Sequence, residues 1–592
     1  MSLMATARLL TLVCLVVGLS ACSEGVQLEA GGSSDSGDGQ GEGGSDGQGS
    51  DSGDGGSVGT GALPALSPHD AGFAGTYFSG SGQCSTCHDG LSDEAGSDVS
   101  IARDWSSSMM ANAARDPYWI ARVAAEIDRH PLLENTLQDS CTRCHAPMAN
   151  ESGRKDGAPL ALFEDGMLNP SSPLFDHAME GVSCTLCHQV EDDGLLGTPE
   201  GVSGNFTVLS YDNSFDRPAY GPYSDPSGVF MRTQVRFNPL LGPHIATSES
   251  CAACHDLRTS SQHSAADDSS SETLTFFPEQ MVFSEWQNSA YGTEGENPQN
   301  CQSCHMPEVP GTLMLATEGG GVPREGFSRH TFLGANTVMQ SLLMNYSDEL
   351  GIAVDRQQFE QSILRNRSFL KGSASVQIVD SELTGQELVS VVRIRNLAGH
   401  KLPSGYPSRR VFIHFQVKDS SGAIVFESGA LASDGSIVGV ATDTDSSQYE
   451  NHYQSIDSAD QVQVYEAIMG DEAQSVTHSL SLARDYLKDN RLLPVGLEKA
   501  SAPSDIRTVG LAASDADFDA GGDEVTYRVQ VPGNGESYTV NAELVYQPLA
   551  FGHIQELFES VHLPAVDQFK TMFDATVLKS EIIASDVKED IR

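Results

Sequence analysis

From Ala374 onward, apolar and polar positions alternate. "ASVQIVDSELTGQELVSVVRIRNL", "RRVFIHFQVKDSSGAIVFESG", "DEVTYRVQVP" and "ESYTVNAELVYQ" carry the period of two that turns one face of a strand to a core. Gly, Ser and Asp fill the gaps as turn residues. The pattern predicts a C-terminal β-sandwich-like domain over residues 371–592, closed by helices near "FGHIQELFESV" and "VDQFKTMFDATVL". Residues 65–336 read differently. Helical periodicity runs through "IARDWSSSMMANAARDPYWIARVAAEIDRH" and "PEQMVFSEWQNSAY", polar or Gly/Pro-rich connections separate the pieces, and no long strand can be placed. Residues 337–370 form a helical bridge. The expected fold class is α+β multidomain, a mainly helical and irregular domain followed by a β-sandwich-like one with terminal helices.

Two segments precede these. Residues 23–64 are Gly, Ser and Asp with little else, too poor in apolar surface to order, and read as a disordered tether. Such a tether has a relaxed span of about 35 Å. Residues 1–22, "MSLMATARLLTLVCLVVGLSAC", combine Arg8, an apolar run and small residues before Cys22, the chemistry of an export signal and not of a membrane span. "LSAC" resembles a bacterial lipobox. That resemblance implies a lipoprotein signal peptide, lipidation of Cys22, and an exported chain anchored to the outer membrane on its periplasmic or cell-surface face. No other apolar run approaches the roughly 20 residues of a spanning helix.

Ten of the 12 cysteines fall in five copies of one motif, C-x-x-C-H: Cys84, Cys87 and His88; Cys141, Cys144 and His145; Cys184, Cys187 and His188; Cys251, Cys254 and His255; Cys301, Cys304 and His305. Paired C-x-x-C units alone are compatible with zinc or with thioredoxin-like redox chemistry. The histidine decides against both. With 17 His in 592 residues, five followers out of five by chance is on the order of one in 10⁷ to 10⁸. The spacing is that of c-type haem attachment, in which two thiols add across the porphyrin vinyl groups and the next imidazole reaches the iron. Five covalently attached c-type haems (Fe) are expected, with the porphyrins supplying much of the buried surface of residues 65–336.

Sixth ligands separate electron carriers from enzymes. His177 and His244 stand seven residues before Cys184 and Cys251, an internal repeat. Met110, preferred over its neighbour Met109, together with His330 and His400, completes a set of five for five irons. His69, His130 and His452 are held in reserve. His400 lies in "NLAGHKLPSGYPSRR", a loop able to reach from the β-region into the haem region, where Arg409 and Arg410 have two readings, propionate partners or solvated strand edge. In "DADFDAGGDE", Asp515, Asp517 and Asp519 suit Ca²⁺ by spacing, whereas the glycine position and the missing bidentate Glu favour an acidic turn.

Over residues 75–336 the chain resembles bacterial multihaem c-type cytochromes related to the hydroxylamine-linked tetrahaem cytochromes. The likeness rests on the five motifs, on "EGVSCTLCH", on "SEWQNSAYG" leading to "CQSCHMP", and on "GPH…SCAACHDL". It implies close-packed haems passing electrons in series. "AGHKLPSGYPSRR" and "YLKDNRLLPVG" look like segments that accompany such domains. The family's W-x-x-S-x-H stretch departs here, ending in Met110 after Trp105 and in Tyr291 after Trp286. No C-x-x-C-K occurs, which sets the chain apart from pentahaem nitrite reductases. The formal charge of −47 excludes nucleic acid as a partner and suits basic redox proteins. The expected function is electron transfer between respiratory redox partners or to a terminal acceptor. The alternative is a haem oxidoreductase with one five-coordinate iron acting on a small nitrogen or sulfur compound.

Overall fold

The computed structural model describes residues 66–261, 275–533 and 535–592. The expected signal peptide, Cys22 and the tether lie outside the described residues. The described residues all belong to one compact unit, so the haem-motif and β-rich regions pack together.

Alternation becomes strands where expected. Ala374–Thr384 and Glu387–Asn396 form a hairpin that turns at Gly385, whose φ of 67° is the left-handed value glycine accepts. Along Glu387–Asn396 every second side chain is buried. This hairpin belongs to a four-stranded sheet ordered Ser455–Ile456, Gly522–Gln530, Glu387–Asn396, Ala374–Thr384. A six-stranded sheet runs Asp485–Asp489, Val464–Gly470, Arg410–Lys418, Tyr538–Gln547, Glu581–Ile591, with Ile424–Ser428 also on Arg410–Lys418. Val392, Ile394 and Tyr527 of the smaller sheet share one core with Ile413, Phe415 and Leu544 of the larger, as two facing sheets require.

One expectation is corrected and two are refined. The helical reading of "PEQMVFSEWQNSAY" fails in its first part: Thr275–Met281 is a strand paired antiparallel with Asp256–Ser261, and the helix begins at Val282. Pro278 sits at the register shift of this two-stranded ribbon, the kind of position where a residue without N–H is tolerated. "IARDWSSSMMANAARDPYWIARVAAEIDRH" is broken into helices Ile101–Ser106 and Pro117–Arg129, the second capped by Asp116, whose carboxylate accepts from the Tyr118 and Trp119 amides. The bridge is two helices, Thr337–Asn345 and Arg356–Lys371.

The terminal helices Phe551–Phe558 and Pro564–Ala575 do more than close the sheets. They pack on Pro117–Arg129 and on the bridge in a core that joins Tyr118, Met339, Phe359, Ile554 and Phe569. No helix among the described residues is long and apolar enough to cross a membrane. Phe569 is fully buried against Tyr118, Phe558 and Phe573 at centroid distances of 5.4, 5.9 and 5.7 Å. Phe569→Ala is expected to cost about 3–5 kcal/mol in denaturant unfolding. Because this core spans the N- and C-terminal halves, far-UV circular dichroism and Soret absorbance should shift together; a shift in only one signal would show that the halves unfold separately.

Candidate haem sites

The five motifs sit on short helical turns, Ser81–His88, the end of Glu134–His145, Cys184–Cys187, Glu249–His255 and Cys301–His305. A turn of helix puts both thiols and the imidazole on adjoining faces. Side chains from elsewhere fix how the turns lie against each other. The fully buried Glu180 accepts from the Ser81 amide and hydroxyl and from Ser183 Oγ, joining the starts of the first and third motifs. Ser248 Oγ accepts from the Cys301 amide, and Gln302 Nε2 donates to the Thr247 carbonyl, joining the fourth and fifth. Asp256, just after the fourth motif, caps helix Val282–Gln287 through the Phe283 and Ser284 amides. Trp105 and Trp286 of the W-x-x-S stretches donate to the Val182 and Gln299 carbonyls.

All fifteen motif side chains line one cavity of about 1680 Å³. Ordinary ligand pockets hold roughly 300–1,000 Å³. Its walls bring the thiols of different motifs into contact: Cys84 with Cys184, Cys144 with Cys254, Cys251 with Cys301. Motifs one and three, two and four, and four and five are therefore neighbours.

Imidazole orientation fits iron ligation. Nδ1 of His88, His145, His188 and His305 bonds to the carbonyls of Leu315, Ala113, Tyr220 and Leu333 at 2.7, 3.2, 2.5 and 2.5 Å, which leaves each Nε2 free. Burial pushes His145 and His255 down to about 4 and His330 to about 3, so these rings are neutral with a lone pair to give. Two imidazoles sharing one metal through Nε2, at about 2.0–2.1 Å per bond and with about 1.1 Å from ring centre to nitrogen, have centroids roughly 6.3 Å apart. His188 and His330 are 6.4 Å apart with planes at 23°, and His305 and His400 are 6.2 Å apart at 17°. His400 Nδ1 lies 3.0 Å from the Lys401 carbonyl, again freeing Nε2.

The other candidates divide. His244 lines the cavity with Nε2 bonded to the Val190 carbonyl at 2.9 Å, presenting Nδ1 instead. Met109 and Met110 both border it. His177, its sequence counterpart, does not line it; its ring packs on Phe73 at 4.4 Å and its buried Nδ1 has no hydrogen-bond partner. His69 is committed to Glu180 and Arg115, and His130 stands off the cavity. Tyr291 lines the cavity beside Gly399, the residue before His400. Arg409 lines it too, but Arg410 is fully buried in a two-pronged pair with Asp443 at 2.7 Å, which removes it as a propionate partner. Sequence reasoning missed Tyr118, Arg122 and Tyr406 on the wall near the second motif, since nothing in their spacing marks them.

The acidic turn forms a different cluster from the one its spacing suggests. Buried Asp515 and Asp523 meet His452, while Asp519 Oδ1 accepts from the Lys499 and Ala520 amides. His452 Nδ1 faces the amide nitrogens of Gln463 and Asn490, whose oxygens are held by the Tyr453 and Glu466 amides. Nδ1 is thus an acceptor, and Nε2–H donates to Asp515 at 3.0 Å, leaving no imidazole lone pair for a cation.

Residues 83–189, which hold the first three motifs, match the family model of cytochrome c554 and c-prime. No curated protein matches the chain. Among solved structures, the crystal structure of a penta-heme cytochrome c552 from Thermochromatium tepidum is similar at 16% identity and a TM-score of 0.47, over 86% of this chain and 98% of that one. The motifs and the family match support a multihaem c-type cytochrome, a class that passes electrons to redox partners.

His330→Ala is expected to convert one low-spin haem to high-spin in the EPR spectrum, with added imidazole restoring it; an unchanged spectrum would remove His330 from the ligand set. At the His452 cluster, EDTA and added Ca²⁺ should each leave the melting temperature unchanged, and a rise with Ca²⁺ would show that a cation does enter the acidic turn.

Proposed function

We propose that the chain carries five c-type haems and relays single electrons through them between a donor and another carrier or terminal acceptor. The observation that carries this reading is the convergence of all five motifs on one cavity, with thiols of neighbouring motifs touching. When bound, the haems supply Fe(III)/Fe(II) couples. The chain's own residues do the rest. Each motif imidazole is oriented by a carbonyl or by burial, His330 with His188 would hold one iron and His400 with His305 another, and apolar cores flank the site. Met110 and His244 are assigned to further irons, and His177 to an iron only if its ring turns inward. One electron enters and one leaves per cycle, with no bond made or broken.

The contacts among motifs suggest the order one, three, four, with two and five both beside four; burial and, beside it, the Cys254 thiol push the Cys187 thiol up. The finer relation to hydroxylamine-linked cytochromes, lipidation of Cys22, and placement at the outer membrane belong to the same proposal. They are supported by the quoted motifs, by "LSAC" and by export being required for c-type haem attachment in bacteria. The acidic chain, at −47, would be steered toward basic partners.

A pyridine haemochrome assay should give five haems per chain. Low-temperature EPR of the oxidised protein should then show low-spin iron that added cyanide, nitrite or hydroxylamine leaves unchanged. A high-spin signal that shifts with one of these ligands would replace the carrier by an oxidoreductase acting on a small nitrogen or sulfur compound.

A further inference from the structure

Four charged side chains meet with no access to solvent beneath the loop that carries His400. Glu285 belongs to helix Val282–Gln287 of the haem region, Lys401 follows His400, and Asp489 and Arg491 come from the end of strand Asp485–Asp489 and the residues after it. Their exposures are 0, 0, 1 and 5%. Lys401 Nζ lies 2.7 Å from Asp489 Oδ2; Arg491 bonds Asp489 at 2.8 and 2.9 Å and stands 3.0 Å from Glu285 Oε1. Glu285 Oε2 accepts from the Lys401 backbone N–H at 3.1 Å and from Ser404 Oγ at 3.3 Å. Two acids and two bases thus balance, and the carboxylate in the haem region grips the backbone of the loop one residue past His400.

We propose that this buried quartet is the positioning device that holds His400 as sixth ligand opposite His305. The inference rests on the bis-imidazole reading of that pair. An irregular loop has no ladder of its own to resist thermal motion, and a ligand displaced by an ångström loses its bond. Here the loop is pinned at the histidine and two residues past it: Asn396 Nδ2 donates to the His400 carbonyl at 2.8 Å, and Leu402 exchanges backbone bonds with Leu492 at 3.0 and 2.9 Å. The charges add what those neutral bonds lack. Removing one partner leaves an uncompensated buried charge, so the arrangement has no partly satisfied state to relax into. At this site the β-rich region thereby acts on the haem region through His400 and the ion network beneath it. Glu285, Lys401, Asp489 and Arg491 touch no iron and are positioning residues.

Glu285→Gln is the sharpest probe. It keeps the shape but turns one carboxylate oxygen into an N–H₂ group, which must face either Arg491 or the Lys401 amide and Ser404 hydroxyl, donor against donor. Lys401→Met is the second variant, Lys488→Met the control, since the equally buried Lys488 bonds Glu466 at 2.9 Å and the Val464 carbonyl at 3.0 Å, outside the quartet. Each is loaded with haem and examined by EPR and by spectropotentiometric titration. Glu285→Gln and Lys401→Met are expected to lose low-spin character at one haem, to regain it with imidazole, and to shift one potential; Lys488→Met should retain the native spectrum and potentials. Fully loaded Glu285→Gln protein with the native low-spin spectrum and potentials overturns the proposal, and since it alters a single atom type it carries the test even where Lys401→Met does not accumulate. His400→Ala is run beside them. A native spectrum there overturns the ligand reading itself, whereas a changed spectrum in His400→Ala with native spectra in the other two overturns only the positioning role.

Discussion

A chain that brings five C-x-x-C-H motifs to one cavity cannot fill that space with side chains. The cavity of about 1680 Å³ is lined by all fifteen motif side chains, and much of the structure around it answers to it. Apolar packing is displaced to the flanks, one cluster under the helices at residues 117–129, 337–371 and 551–575, another between the two sheets. Around the cavity several of the elements are single helical turns such as Cys184–Cys187 or four-residue strands such as Pro218–Gly221, too short to hold their own geometry. They are held by single polar residues bonded to several partners: Glu180 between motifs one and three, Ser248 between four and five, Asp256 between motif four and the helix of Trp286. A buried carboxylate accepting three or four bonds is fully satisfied, and this makes it a rigid joint rather than a liability.

What the sequence shows and what it hides follow from the same physics. Covalent attachment demands a fixed spacing, so all five motifs are legible as strings, and a strand with one wet face must alternate, so Glu387–Asn396 and Gly522–Gln530 are legible too. Val464–Gly470 is buried at all seven positions and has no alternation to read. Asp485–Asp489 is short and mostly charged, and Glu581–Ile591 joins an edge with its polar face outward, so neither looks like sheet. Sixth ligands are harder still, because a distal imidazole is placed by tertiary structure and its neighbours in sequence carry no signal. The spacing shared by His177 and His244 predicts equal roles, yet only His244 borders the cavity. Likewise the alternating aspartates of the acidic turn invite a cation, while the tautomer that Gln463 and Asn490 impose on His452 closes that cluster upon itself.

The two regions that read as separate domains are joined by buried charge. Arg122 of helix Pro117–Arg129 pairs with Glu556 of the C-terminal helices at 2.9 Å and also bonds His553 and the His478 carbonyl. Glu126, one turn on, accepts from the Ser479 and Ser481 hydroxyls and the Leu480 amide. Glu285 reaches Lys401 and Arg491 on the far side of the cavity. Such pairs add little net stability over well-packed apolar residues, because desolvation offsets their attraction. Their effect lies in direction: an apolar interface tolerates sliding by a fraction of a side chain, whereas a carboxylate shared among several donors tolerates none. For a protein whose proposed task depends on the separation and ligation of metal centres, the geometry of the joint matters more than its strength. A β-rich region fixed in this way can place a side chain such as that of His400 with the accuracy of a secondary-structure element, although the residue itself sits in a loop.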